Sequence, residues 1–269
     1  MAPTILVFDS GLGGLTVLRE VAKARPDASL VYAADDAAFP YGAWAPENLS
    51  HRVVDIVGGL IDLFKPDLVV IACNTASTLA LGDLRKAFAL PFVGTVPAIK
   101  PACAASRSKL VSVLGTEVTV QREYTRALIR DFSQGCEVTL VGSKRLASLA
   151  EAQFRGEPPA DDAIRLELMP CFIEKSGART DTVVLACTHY PLLLDRLTAL
   201  SPWPVSFVDP APAIARRVVD LIGRGDGESP APLRFHFTSG NNPPFPVGAL
   251  AAFAAQPGMA FGKISSAPR

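Results

Sequence analysis

An α/β fold of two similar doubly wound parallel-sheet lobes is what the sequence predicts, on three observations. Short apolar runs alternate with amphipathic stretches from Thr4 onward. The run Leu68 to Ala72 is apolar at every position, as in parallel strands covered on both faces. The strand–helix order then begins again at Lys109, and "LVVIACNTAS" (from Leu68) is echoed 114 residues later by "TVVLACTHYP" (from Thr182). That interval is a domain-sized repeat, longer than the period of a solenoid.

Element by element, "TILVF" (Thr4 to Phe8) reads as a strand, and "LTVLREVAKA" as a helix with Leu15, Leu18 and Val21 on one face. "SLVYAA" is the next strand. A longer helix starts at Pro46, a residue suited to a first turn, and carries Leu49, Val53, Ile56, Val57, Leu60, Ile61 and Phe64 near a helical period. Lys65-Pro66 ends it before the strand from Leu68. In the second lobe, "KLVSVLG" is a strand, "VTVQREYTRALIRDF" a helix, "EVTLVG" a strand, Leu146 to Phe154 a helix, Thr182 to Ala186 a strand and "YPLLLDRLTAL" a helix. After "VSFVDP", a helix from Pro212 to Ile222, a Gly/Pro/Ser-rich loop (Gly223 to Pro232) and "LRFHFTSG" are expected to return to the first lobe. The expected lobes are 1–97 plus 208–269, and 98–207.

The 269 residues are 49% hydrophobic, enough for one large α/β domain or two lobes. With 26 basic and 26 acidic side chains, the composition predicts no electrostatic grip on nucleic acid or on an anionic membrane. No apolar run approaches the roughly 20 residues of a membrane span, and "MAPTILVFDS" lacks the basic region of a secretion signal. Five cysteines without a C-x-x-C pair argue against a zinc site or a disulfide framework and for a reducing cytoplasm.

Ligands of open α/β sheets bind beyond the carboxyl ends of the strands. Three polar motifs fall there: "DSGLGG" after Phe8, "CNT" after Ala72 and "CTH" after Ala186, with Gly115-Thr116 as a fourth candidate. Glycines 11, 13 and 14 allow a sharp turn that offers N–H groups at a helix start to a carboxylate or phosphate, without the Lys of a P-loop. The plainer reading is a βα turn in which Asp9 or Ser10 caps the helix. A single Cys at a strand end is usually an inert packing residue. Cys73 and Cys187 differ because they end equivalent strands, precede polar pairs (Asn74-Thr75 and Thr188-His189) and stand before helix starts that favour a thiolate. Two thiols directed at one ligand suit a reaction that removes a proton from one face of a carbon and returns one to the other, a racemisation. A free thiol titrates near about 8.5, so helpers are expected: Asp9 beside Cys73 and His189 beside Cys187. Cys103, Cys136, Cys171, His51 and His236 lack this setting and read as packing or surface residues. "FPYGAW" (from Phe39) is a tight turn, or a hydroxyl and backbone amide that hold a substrate carboxylate.

Together the pieces "FDSGLGGLTVLRE", "PYG", "LVVIACNTAS", "GTVPAIKPA", "VVLACTHYPLL" and "FVDPAPA" resemble, in order, the cofactor-independent glutamate racemases of the aspartate/glutamate racemase superfamily. The resemblance implies an active site between two α/β lobes, a two-base mechanism without pyridoxal phosphate or metal, and a role supplying D-glutamate for peptidoglycan. It implies that Cys73 takes the proton from D-glutamate and Cys187 from L-glutamate, assisted by Asp9 and His189. Ser10, Tyr41, Gly42, Asn74, Thr75, Thr116, Thr119 and Thr188 match substrate-binding positions. The chain departs from the pattern in three places. Trp44 stands where many relatives carry a basic residue, and Arg122 where a serine is common. The second-lobe glutamate usually follows a proline-containing stretch; here "GSKRLASLAE" has none, and Glu151 is the best match. The remaining alternatives are a racemase for another acidic amino acid such as aspartate, a single-thiol decarboxylase, or a two-lobed binding protein. A small-molecule substrate is the expected partner; the assembly is left open, with a homodimer as one option.

Overall fold

The computed structural model describes residues 2–225, 233–240 and 264–266. In chain order the first elements are β1 (Thr4–Asp9), α1 (Leu15–Ala24), β2 (Ser29–Ala34), α2 (Pro46–Phe64), β3 (Leu68–Ile71), α3 (Asn74–Ala87) and β4 (Phe92–Gly94). There follow α4 (Ile99–Ala105), β5 (Leu110–Thr116), α5 (Glu117–Gln121), α6 (Glu123–Phe132), β6 (Glu137–Ser143), α7 (Leu146–Phe154) and α8 (Asp161–Leu168). The hairpin β7 (Glu174–Lys175) and β8 (Ala178–Arg179) leads to β9 (Thr182–Ala186), α9 (Leu194–Leu200) and β10 (Ser206–Val208). The last elements are α10 (Ala211–Ile222), β11 (Leu233–Phe237) and β12 (Ile264–Ser266). The loop expected at Gly223 to Pro232 lies, beyond residue 225, outside the described residues.

The chain divides into two units, Met1–Thr95 with Ala211–Arg269, and Val96–Pro210. The first carries a parallel six-stranded sheet in the order β12-β11-β2-β1-β3-β4. Leu6, Phe8, Val31, Val69 and Ile71 on one sheet face pack with Leu49, Val53, Val57, Leu60 and Phe64 of α2 and with Ala76, Ala80 and Leu84 of α3. The α2 residues recur every three or four positions, which is why that helix forms one apolar stripe. Lys65 ends α2 in a left-handed conformation (φ 46°), its N–H bonded to Ile61 O, with Pro66 next. β11 pairs with β2 in register Phe237↔Ala34, so the C-terminal segment adds to this sheet.

The second unit carries a parallel four-stranded sheet in the order β10-β9-β5-β6. Ile99, Ala102 and Cys103 of α4 pack on Val111, Val113, Val184 and Ala186. Two expected helices are broken. The stretch from Val118 to Phe132 splits at Arg122 (φ −67°, ψ 138°). Side chains capture the backbone there: Thr116 Oγ1 takes the Thr119 N–H (3.2 Å), and the Thr125 hydroxyl takes the Thr119 carbonyl (2.7 Å). "YPLLLDRLTAL" opens as a 3₁₀ turn, Tyr190–Leu193, and becomes α-helical only in α9.

Candidate active site

In the first unit, β1 and β3 lie side by side, and their carboxyl ends bring Asp9, Ser10 and Cys73 together. Asp9 is fully buried; its Oδ1 accepts from Ser10 Oγ (3.2 Å) and from the Gly11 N–H (3.1 Å). The Cys73 thiol donates to Ser10 Oγ at 3.7 Å, so Ser10 links thiol and carboxylate. Neither Asp9 nor Ser10 caps α1, whose N-cap is Gly14 with no side-chain bond. Glycine is needed at 14 for space: a Cβ there would sit 2.6 Å from Asp9 Cβ. Cys73 is itself the N-cap of α3, its Sγ accepting from the Ala76 N–H at 3.5 Å. The positive end of a fourteen-residue helix therefore faces the sulfur.

Asn74 and Thr75 open α3 and are buried. Both side-chain amide atoms of Asn74 lack a hydrogen-bond partner among the described residues. Buried amides are ordinarily satisfied, so this one is poised for a polar ligand. Tyr41 and Gly42 lie in a 3₁₀ turn whose own hydrogen bonds start at the amides of Ala43 and Trp44. The Tyr41 hydroxyl does not wait for a ligand: it donates to Asp35 Oδ2 at 2.6 Å. Burial, with the Asp35 carboxylate beside it, pushes the phenol well above its usual range.

In the second unit, β9 ends beside β5 in register Ala186↔Gly115, which sets Cys187 and Thr116 on neighbouring strand ends. Thr116 and Thr119 are buried and share a hydrogen bond of 2.9 Å between their hydroxyls. Cys187 precedes a single 3₁₀ turn rather than a long helix, a difference from the sequence expectation; the Tyr190 N–H closes back on its carbonyl (3.1 Å). His189 supplies the partner instead. Its Nδ1 lies 3.9 Å from Cys187 Sγ and its Nε2 2.9 Å from Glu151 Oε1. Arg155 Nη2 holds the other Glu151 oxygen at 2.8 Å. Burial lowers the imidazole's proton affinity, but its bonds to Cys187 and Glu151 and their charges together hold its pKa well above the ordinary histidine value. Thr188, between Cys187 and His189 in sequence, is buried.

The arrangement is two buried thiols, each with its own proton partner: a hydroxyl–carboxylate pair on Cys73, an imidazole–carboxylate pair on Cys187. None of the five cysteines forms a disulfide among the described residues. Cys103 and Cys171 are buried, their thiols pushed up to about 12 by burial, Cys103 also by Cys136 beside it. His236 packs edge-on against Phe64 and His51 is exposed. Arg122 stands at the α5–α6 break with its Nη2 buried and without a partner among the described residues. Among the described residues no group of His, Cys, Asp and Glu is placed to hold a metal, and no helix is long and apolar enough to cross a membrane. Sequence reasoning missed Asp35 and Arg52, whose pairing joins residues 17 positions apart on different elements; the signal was a charge directly after an apolar strand.

The family model for Asp/Glu/Hydantoin racemase matches residues 10–218. A glutamate racemase of Brucella canis is 57% identical over 219 residues, 81% of this chain and 79% of its own. The crystal structure of Escherichia coli glutamate racemase in complex with L-glutamate and the activator UDP-MurNAc-ala superposes with a TM-score of 0.79 at 40% identity, covering 87% of this chain and 89% of that one. Glutamate racemase from Thermus thermophilus, in complex with β-chloro-D-alanine, gives 0.68 at 27% identity, with 99% and 96% covered. The chain, matched through both of its cysteine motifs, belongs to the Asp/Glu/Hydantoin racemase family.

Proposed function

We propose that this protein is a cofactor-independent glutamate racemase in which Cys73 and Cys187 serve opposite faces of one substrate Cα. The observation that carries the reading is the pair of buried thiols at equivalent strand ends, each with a distinct proton partner. In the L-to-D direction Cys187, as thiolate beside the His189 imidazolium, takes the α-proton. Charge developing at Cα and its carboxylate is stabilised by neutral donors, for which Asn74, Thr75 and Thr188 are the candidates. Cys73 then delivers its proton to the other face. The product leaves the thiols with exchanged protonation states, and Ser10–Asp9 and His189–Glu151 give each a route by which to reset. Thr116, Thr119 and the Tyr41–Gly42 backbone complete the substrate-binding set.

The relatives' shared activity supports glutamate as substrate. A decarboxylase of this type needs one thiol donor, so the second, equally equipped thiol favours racemisation over it. We further infer a cytoplasmic location, where two working thiols stay reduced, a role in supplying D-glutamate for peptidoglycan, and a homodimeric assembly, which sedimentation measures. The test of the activity is direct: the purified chain, without added cofactor, is incubated with L-glutamate or L-aspartate and circular dichroism followed. The reading expects the glutamate signal to decay to zero with no loss of amino acid. A steady signal, or carbon dioxide release, would overturn it.

A further inference from the structure

Asp35, directly after β2, is fully buried and accepts four hydrogen bonds. Arg52 of α2 grips it bidentately, Nε on Oδ2 at 2.6 Å and Nη2 on Oδ1 at 2.7 Å. The Tyr41 hydroxyl reaches Oδ2 at 2.6 Å and Thr238 Oγ1 reaches Oδ1 at 2.6 Å. The donors come from three places: the 3₁₀ turn, α2, and the residue after β11. Trp44 flanks the guanidinium, with Arg52 Cζ 5.5 Å over its ring and its indole N–H on Ala38 O at 2.8 Å. The residue that departs from the family's basic pattern thus flanks the ion pair. What all of this encloses is the chain from Asp35 to Trp44, which lacks sheet pairing and holds only two short 3₁₀ turns.

We propose that Asp35 and Arg52, flanked by Trp44, are positioning residues: they fix the Tyr41–Gly42 backbone relative to Cys73 and so set the preference for glutamate over the shorter aspartate. The inference rests on the racemase reading above. Tyr41 and Cys73 pack in one core cluster, so fixing the turn fixes the distance from a carboxylate held there to the carbon served by Cys73. Glutamate and aspartate differ in that distance by one methylene. A bidentate pair is suited to the task because its fork leaves little play: the Asp35 carboxylate is fully buried, while the Arg52 side chain keeps 31% of its surface exposed. The Tyr41 hydroxyl then acts as a brace, its proton committed to Asp35.

The test measures kcat and KM for glutamate and aspartate with the full chain and with Asp35→Asn, Arg52→Lys, Tyr41→Phe and the Asp35→Asn/Tyr41→Phe double variant. Asp35→Asn is expected to raise KM for glutamate about 10- to 100-fold, with kcat within about threefold, and to narrow the glutamate-to-aspartate preference. Arg52→Lys keeps the charge but not the fork, and is expected to recover only part of the preference. Tyr41→Phe is expected to raise KM modestly alone and to add nothing in the Asp35→Asn background. A merely structural role would lower the active fraction, and hence kcat, leaving KM and the preference in place; that result overturns the proposal. So do multiplying effects of Tyr41→Phe and Asp35→Asn, because the hydroxyl would then act on substrate independently. Should Asp35→Asn not fold, an unchanged KM and preference in both Arg52→Lys and Tyr41→Phe has the same force. Wild-type protein that does not racemise glutamate overturns the function itself, an outcome separable from all of these.

Discussion

Cys73 and Cys187 occupy the same slot, one residue or two past the end of a buried parallel strand, yet their surroundings differ. Cys73 caps a long helix, takes the Ala76 N–H on its sulfur and reaches Asp9 through Ser10. Cys187 caps nothing comparable and depends on a charged side chain, His189, itself held by Glu151, which Arg155 holds in turn. The lesson is that a repeated strand end fixes where the thiol emerges, while the segment that follows decides how its proton is managed. A long helix N-terminus faces only the Cys73 sulfur and an imidazole only the Cys187 sulfur, so the two halves should respond differently to mutation and to pH.

The largest expected effect is on the thiols. Cys73→Ala and Cys187→Ala are each expected to lower racemisation by at least about 10²- to 10⁴-fold, measured by circular dichroism; full activity in either breaks the comparison. Next come the partners. L- and D-glutamate are enantiomers, so His189→Asn must lower kcat/KM equally in both directions. Its asymmetry is expected in the Cα-deuterium isotope effect, which should grow for L-glutamate, the substrate whose proton Cys187 takes. A larger rise for D-glutamate would reverse the assignment.

Stability should separate the halves by pH. The His189 pKa is raised in the folded chain, so the Glu151 pairing stabilises fully below the ordinary histidine value of about 6.5 and loses that contribution as pH rises through the raised value. The Asp35 pKa is lowered: burial raises it, but the hydrogen bonds from Arg52, Thr238 and Tyr41 outweigh burial. Its contribution is present above the ordinary carboxylate value of about 3.9 and is lost as pH falls through the folded value. Urea unfolding across pH is expected to show Asp35→Asn flattening the acid limb and leaving the alkaline limb in place, and Glu151→Gln flattening the alkaline limb; an alkaline limb unchanged in Glu151→Gln contradicts the assignment. The smallest effect is the cap. Cys73→Ala should lose about 0.5–1 kcal/mol more stability than Cys187→Ala, because only Cys73 accepts a helix N–H.

Much of this was legible in the sequence, for identifiable reasons. Apolar runs and the echo of Ala-Cys placed both strands and both thiols, since periodicity and burial are local properties. Glu151 and His189 were each singled out, but their contact was not read, because they lie 38 positions apart with α8, the β7–β8 hairpin and β9 between them. The role given to the Tyr41 hydroxyl missed its tie to Asp35, a bond set by tertiary packing. The broken helix at Arg122 arises from threonine hydroxyls competing for backbone groups, which hydrophobic periodicity does not register.

The central claim is that two thiols with separate protons act on one carbon. Racemisation of L-glutamate in D₂O tests it most directly, following Cα-deuterium in both enantiomers at early times by NMR. The account expects deuterium in the D-glutamate formed and none in the L-glutamate that remains. Appreciable early deuterium in the remaining L-glutamate would mean a single base serves both faces, and would contradict it.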